Sequence, residues 1–182
     1  MREVLVLDIE TSNTFSEVGR DNFGALNVSL IGLYSYDRDK YFAFDENEID
    51  KAADFLKNAS KIIGFSISRF DLPVLEKHLD FDIFKTPRFD ILDEIEYLTG
   101  KRISLDLLAK ANLGVGKNGK SLEAVNLYRE GKMEELKNYC LNDVKITKDL
   151  YDLILKQRHL MVPQWEKEPA KINFDAPILF DY

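Results

Sequence analysis

Three short stretches of this sequence put carboxylates where they are costly unless something cationic neutralises them. They are LDIET with Asp8 and Glu10, GFSISRFDLP with Asp71, and YCLND with Asp143 preceded by Tyr139. Asp8 and Glu10 end an apolar run, EVLVLDIE, that predicts a strand buried on both faces. Side chains two apart in a strand share a face, so the two carboxylates stand side by side while Leu5, Leu7 and Ile9 point into core. Such a pair repels and is poorly solvated. A divalent cation relieves both problems, and an all-oxygen donor set suits Mg²⁺ or Mn²⁺. Tyr139 and Asp143 are four apart in a helical pattern and share a face, so a phenol can hold a water beside a bound metal. Each stretch alone has a plainer explanation: a solvated strand end, a first-turn acid favoured by the helix dipole, a tyrosine packed at a helix edge. Together they suggest metal-assisted hydrolysis.

The elements that must position these residues follow from periodicity. NVSLIGLYSYD and KYFAFD read as two more strands, and the polar Asp37-Arg38-Asp39 between them predicts a hairpin. The glycine-containing stretch 14–27 reads as a loop. EIDKAADFLKNA is an amphipathic helix with Ile49, Ala52, Ala53 and Leu56 on one face, and KIIGF is a fourth strand. A short connection, 66–70, then leads to Asp71 at the start of a helix containing Pro73. The second half reads as helical. DILDEIEYLTG, SLDLLAKANLG and SLEAVNLYREG each stop near a glycine, with Ser104 and Ser121 as N-caps of the latter two. The last long helix, about 133–156, carries the stripe Leu136, Cys140, Val144, Thr147, Tyr151 and Ile154. Beyond Pro163 periodicity is lost, and INFDAPILF is left as an edge strand, a docked segment or a mobile arm. Strands first, then alternation with helices, predict an α/β fold: a mixed sheet with helices packed on it.

A chain of 182 residues favours one domain. With 45% hydrophobic and 31% charged residues it is a soluble globular sequence, and no apolar run is long enough to span a bilayer. The strand at the N-terminus does not have the layout of a signal peptide. The single cysteine, Cys140, excludes an internal disulfide and fits a reducing, cytoplasmic setting; it is expected to pack in a helix face. The net charge of −7 is unusual for a protein that meets phosphates. Bound divalent ions would offset an acidic cluster, and 101–120 is locally basic, with Lys101, Arg102, Lys110, Lys117 and Lys120 against Asp106.

The three stretches resemble the Exo I, II and III motifs of the DEDD exonucleases, the DnaQ-like branch of the RNase H-like superfamily. Asp8 and Asp71 are 63 residues apart, Asp71 and Asp143 are 72 apart, and both spacings are compatible with that domain. One subgroup has a histidine five residues before its last aspartate, where this chain has Asn138. The other has a tyrosine four before, and Tyr139 makes this chain resemble the tyrosine type, DEDDy. The segment from Gly119 to Tyr151 is also similar to predicted exonucleases related to the proofreading domain of B-family DNA polymerases. The resemblance covers about 3–156, and departs at Ser66, where many relatives carry Asn.

The resemblance implies an RNase H-like fold: a mixed sheet of about five strands, the first three antiparallel, flanked by helices. The exonuclease domain is expected over 1–160, with the tail, 161–182, docked on it. It implies a 3′→5′ exonuclease acting on nucleic acid with a free 3′ end, single-stranded DNA ahead of RNA, and releasing nucleoside 5′-monophosphates. Two divalent ions, Mg²⁺ or Mn²⁺, would be the cofactors. Asp8, Glu10 and Asp143 would hold the one that activates the attacking water. Asp8 would bridge to the second, with Asp71. Tyr139 would orient the water. Thr11, Ser66 and Phe70 would contact substrate, and Phe65, Phe15 or Phe23 are further candidates for stacking on bases. His78 and His159 lack metal-ligand partners at useful spacing and read as surface residues. GVGKNGKS, 114–121, matches the phosphate-loop pattern, but that loop follows a buried strand, and a helix is expected here. Three other classes compete with this reading: a P-loop nucleotide hydrolase, a non-catalytic nucleic-acid-binding module, and an aspartyl phosphatase. The last wants D-x-D-x-T, against Glu10 here.

Overall fold

The computed structural model describes residues 3–116, 121–164 and 167–174. Lys117, Lys120, the Ser121 side chain and the tail beyond Phe174 lie outside the described residues. Strand β1 (Glu3–Thr11) pairs antiparallel with β2 (Val28–Ser35), which pairs antiparallel with β3 (Lys40–Asp45) through the expected hairpin. Strand β4 (Ala59–Gly64) lies parallel to β1, and β5 (Arg88–Asp90) parallel to β4, giving the order β3-β2-β1-β4-β5. The fifth strand is only three residues long, too short to leave a period in the sequence. The stretch after β1 is not wholly loop: it holds α1 (Phe15–Val18) and a 3-10 turn over Phe23–Ala25.

Alternation along β1 divides the core between two faces. Leu5, Leu7 and Ile9 pack with Ile31, Leu33 and Ile62 against Ala52 and Leu56 of α2 (Ile49–Lys57). Val6, with Tyr34 and Ile63, faces the opposite layer, where α7 (Met133–Gln157) lays Val144, Ile146, Leu150, Tyr151 and Ile154 on the sheet. All six residues of the expected stripe are buried. On the same helix Asp152 accepts from the Tyr36 hydroxyl at 2.7 Å and from the Lys148 ammonium at 2.6 Å. Burial, reinforced by that carboxylate, pushes the Tyr36 phenol far above its ordinary pKa.

Along the chain, α3 (Asp71–Leu75) follows β4, and α4 (Ile91–Thr99), α5 (Leu105–Leu113) and α6 (Ser121–Arg129) lead from β5 to α7. Gly100 and Gly114 take the left-handed conformation just past α4 and α5, and Ser104 caps α5 by accepting from Leu107 N. The chain after α7 is more ordered than its lost periodicity suggests. Strands β6 (His159–Gln164) and β7 (Lys167–Asn173) form their own two-stranded ribbon, not an edge of the main sheet. Pro163 sits at the ribbon's register shift, where no ladder donor is missed. Asn112 of α5 holds the ribbon by donating to Met161 O and accepting from Met161 N, and Leu160, Val162 and Phe174 join the core. Neither histidine is a surface residue in the simple sense: both are half-buried.

Helix α7 reaches β1 because of a missing side chain on β2. Gly32 pairs with Asp8, and a Cβ on Gly32 would stand 2.7 Å from Cys140 Sγ and 2.9 Å from Val144 Cγ2. Both distances are shorter than any real contact, and both neighbours are buried. Gly32→Ala is therefore expected to destabilise the fold by about 1–3 kcal/mol, read as a lowered midpoint in urea unfolding; an unchanged midpoint would show that α7 is not seated on this residue.

Candidate active site

Strand β1 outruns its parallel neighbour. Pairing with β4 covers Glu3 to Val6, whereas pairing with β2 continues to Thr11. A buried N–H left without a partner costs about 1–3 kcal/mol. At Ile9 the carboxylate of Asp71 supplies one: Oδ1 accepts the Ile9 N–H at 2.9 Å. Asp71 is thus drawn to β1 beside Asp8 and Glu10, and is itself 4% exposed.

The connection carrying Asp71 is held from β5. Ser66 has a positive φ of 69°, unfavourable for a residue with a side chain. Its N–H donates to Asp90 Oδ1 at 2.7 Å and Ser68 N–H to Asp90 Oδ2 at 2.9 Å. The same carboxylate caps α4 by accepting from Leu92 and Asp93 N–H groups. One buried side chain thereby fixes both the turn before Asp71 and the start of the next helix. Gly64 completes the turn, since a Cβ there would lie 2.0 Å from Ile67 Cγ2.

From the other layer α7 contributes Tyr139, Cys140 and Asp143, all buried. Asp8, Glu10, Asp71, Tyr139 and Asp143 line one cavity of about 430 Å³. Every catalytic and metal-binding candidate of the sequence is therefore in one place. Thr11, Ser66, Phe70 and Phe65 line it too. The Thr11 hydroxyl donates to Asn13 O at 2.8 Å, so its hydrogen is turned to the loop. Phe15 and Phe23 do not line the cavity; they pack edge-on with each other, and Phe15 does so with Phe70.

Sequence reasoning missed several contributors. Cys140 was expected only to pack, yet Sγ lies 3.5 Å from Asp8 Oδ2 and 3.6 Å from Asp8 O. Its ligating atom and those of Asp8 and Glu10 fall within 4.8 Å of one another. Burial first, then the negative charges of Asp8, Glu10 and Asp143, pushes its thiol well above the ordinary range, so the neutral S–H faces the carboxylates. Val125 of α6 and Arg102 also line the cavity, and Arg102 is the one cation among its described lining residues. Arg102 stands 3.5 Å from Ser66 Oγ, with Glu96 3.9 Å away on its other side. Only the locally basic character of 101–120 hinted at it. Asp90 carried no signal beyond its place before a helix. The phosphate-loop pattern fails, because α5 and not a strand leads into Gly114.

Removing the Asp90 carboxylate should loosen this arrangement without touching the cavity. Asp90→Ala is expected to cost at least about 2 kcal/mol of stability, since buried N–H groups lose their acceptor. Hydrogen exchange at the Ser66 and Ser68 amides should rise by more than global destabilisation explains; protection unchanged relative to the rest of β4 would refute the clamp.

Comparison with known proteins agrees with this architecture. A family model described as the RNase_H superfamily matches residues 5–155. No protein with a curated description matches the sequence. Among solved structures, the family B DNA polymerase from the hyperthermophilic archaeon Pyrobaculum calidifontis is similar in fold, with a TM-score of 0.66 and 20% identity over 85% of this chain. The match takes in 25% of the polymerase chain, so this protein spans about a quarter of that relative's length. No helix among the described residues is long and apolar enough to cross a membrane. With a five-stranded mixed sheet ordered 3-2-1-4-5 and a family match over most of its length, the chain belongs to the RNase H superfamily.

Proposed function

We propose that this protein is a metal-dependent 3′→5′ exonuclease that hydrolyses phosphodiester bonds of single-stranded nucleic acid, DNA ahead of RNA, and releases nucleoside 5′-monophosphates. The observation that carries the proposal is the convergence of four carboxylates and a tyrosine, from three distant segments, on one cavity. Superfamily membership and the fold shared with a DNA polymerase support it.

The donor set fits hard divalent cations. Carboxylate oxygens dominate the cavity, and burying Asp71 and Asp143 in one acidic site is unfavourable without compensating positive charge. In this reading Asp8, Glu10 and Asp143 would hold one Mg²⁺ or Mn²⁺, and Asp8 with Asp71 would hold a second. When bound, the ions supply positive charge to the attacking and leaving oxygens of an in-line displacement. The chain's own groups do the rest. Asp71 Oδ1, committed to Ile9 N–H, fixes that carboxylate's orientation toward β1. Tyr139 orients the attacking water from α7. Thr11, Ser66 and Phe70 border the terminal nucleotide.

The test uses 3′- and 5′-labelled strands of matched DNA and RNA with Mg²⁺ or Mn²⁺. Stepwise loss from the 3′ end is expected, and Asp8→Ala/Glu10→Ala should abolish it; degradation undiminished in that variant would overturn the assignment. Tyr139→Phe should lower kcat by about 100-fold while metal affinity stays within a factor of about three. Millimolar Mg²⁺ or Mn²⁺ should raise the melting temperature of the unaltered protein but not of the double variant; equal shifts would place the ions elsewhere.

A further inference from the structure

A second cavity of about 800 Å³ lies beside the first. One wall is the end of α4, the α4–α5 connection and the start of α5, including Leu98, Ile103 and Leu107; the other is the β6–β7 ribbon at Val162 and Pro163. Arg102 lines both cavities, so the two meet at its side chain. The charged groups on the described walls are Lys101 and Arg102, with no carboxylate among them. That is notable in a chain with 32 acidic and 25 basic residues. Leu107 is 50% exposed and Leu98 38%, so apolar surface is left open to water in the cavity that the two cations line.

Apolar walls with cations and no anions are complementary to an unpaired polynucleotide, whose base faces are exposed and whose phosphates carry the charge. A duplex hides its base faces in the stack and would gain little from Leu98 or Leu107. Continuity through Arg102 with the acidic cavity selects this occupant over a peptide or a second copy. We infer that the groove between the α4–α5 connection and the β6–β7 ribbon holds the single strand on the 5′ side of the scissile bond, with Arg102 gripping the phosphate that passes from one cavity to the other. The inference rests on the exonuclease reading and extends it to the path of the substrate. Arg102 is suited to the grip: its side chain is 54% exposed, with Glu96 3.9 Å from its Nε.

The experiment measures KM for a dinucleotide, which occupies the catalytic cavity alone, and for an eight-nucleotide strand, which also fills the groove. For the unaltered protein KM is expected to fall by about tenfold with the longer strand. Leu107→Asp and Lys101→Glu, both at exposed positions, should remove that fall, with melting temperatures confirming that they fold. A fall that persists in both variants overturns the inference. If the unaltered protein cleaves neither length, the exonuclease reading fails instead, and the groove is judged by photocrosslinking a 5-iodouracil-substituted eight-mer. Adducts within 98–107 or 162–164 support the strand path; adducts only elsewhere, or none, overturn it. A dimer at assay concentration that Leu107→Asp dissociates would show the groove covered by a second copy, and would likewise overturn it.

Discussion

The close approach of α7 to the β1–β2 pair is the interaction on which the rest of the site depends. A helix normally rides about 10 Å above a sheet, separated by side chains from both. At Gly32 that spacer is absent, and Cys140 and Val144 drop onto the strand next to Asp8. Tyr139 and Asp143 flank the seated residues on the same helix, and so descend to the level of the strand's carboxylates. A side chain at position 32 would lift the helix and carry its aspartate away from Asp8.

The opposite side of the cavity obeys a different rule, that buried backbone donors must be paired. Strand β1 extends past β4, and the exposed edge recruits Asp71, while Asp90 satisfies the turn that delivers it. Two carboxylates therefore serve as backbone acceptors, Asp71 within the acidic cavity and Asp90 behind the turn that leads to it. This helps to explain why an acidic protein can keep the arrangement rigid: each of these acids has hydrogen bonds that fix it, whatever cations later join them.

Much of this was legible in the residues. Period-two alternation in β1 put Asp8 and Glu10 together, and period 3.6 in α7 put Tyr139 one turn before Asp143. The hairpin between β2 and β3 and the glycine stops of α4 and α5 were equally plain, because local turn chemistry decides them. What was not legible depends on register between distant segments. Nothing in the string tells that Gly32 faces Asp8, that Cys140 reaches it, or that Asp90 will hold Ser66. Arg102 is similar: one basic residue in a basic stretch becomes singular only when the fold turns it into an acidic cavity. The β6–β7 ribbon was missed because its two prolines and polar residues imitate a loop, and its pairing is satisfied within itself.

The order of the pieces along the chain has a temporal consequence. Asp8 belongs to the first strand and Asp143 to the last long helix, so the cavity joins segments far apart in the chain. Contacts of such sequence separation form late, after much of the loop-closure entropy has been overcome. A growing or partly folded chain thus carries its acidic strand without the helix that completes the cavity. The cavity is then completed only with the seating of α7 on Gly32, and any chemistry it supports must wait for that contact.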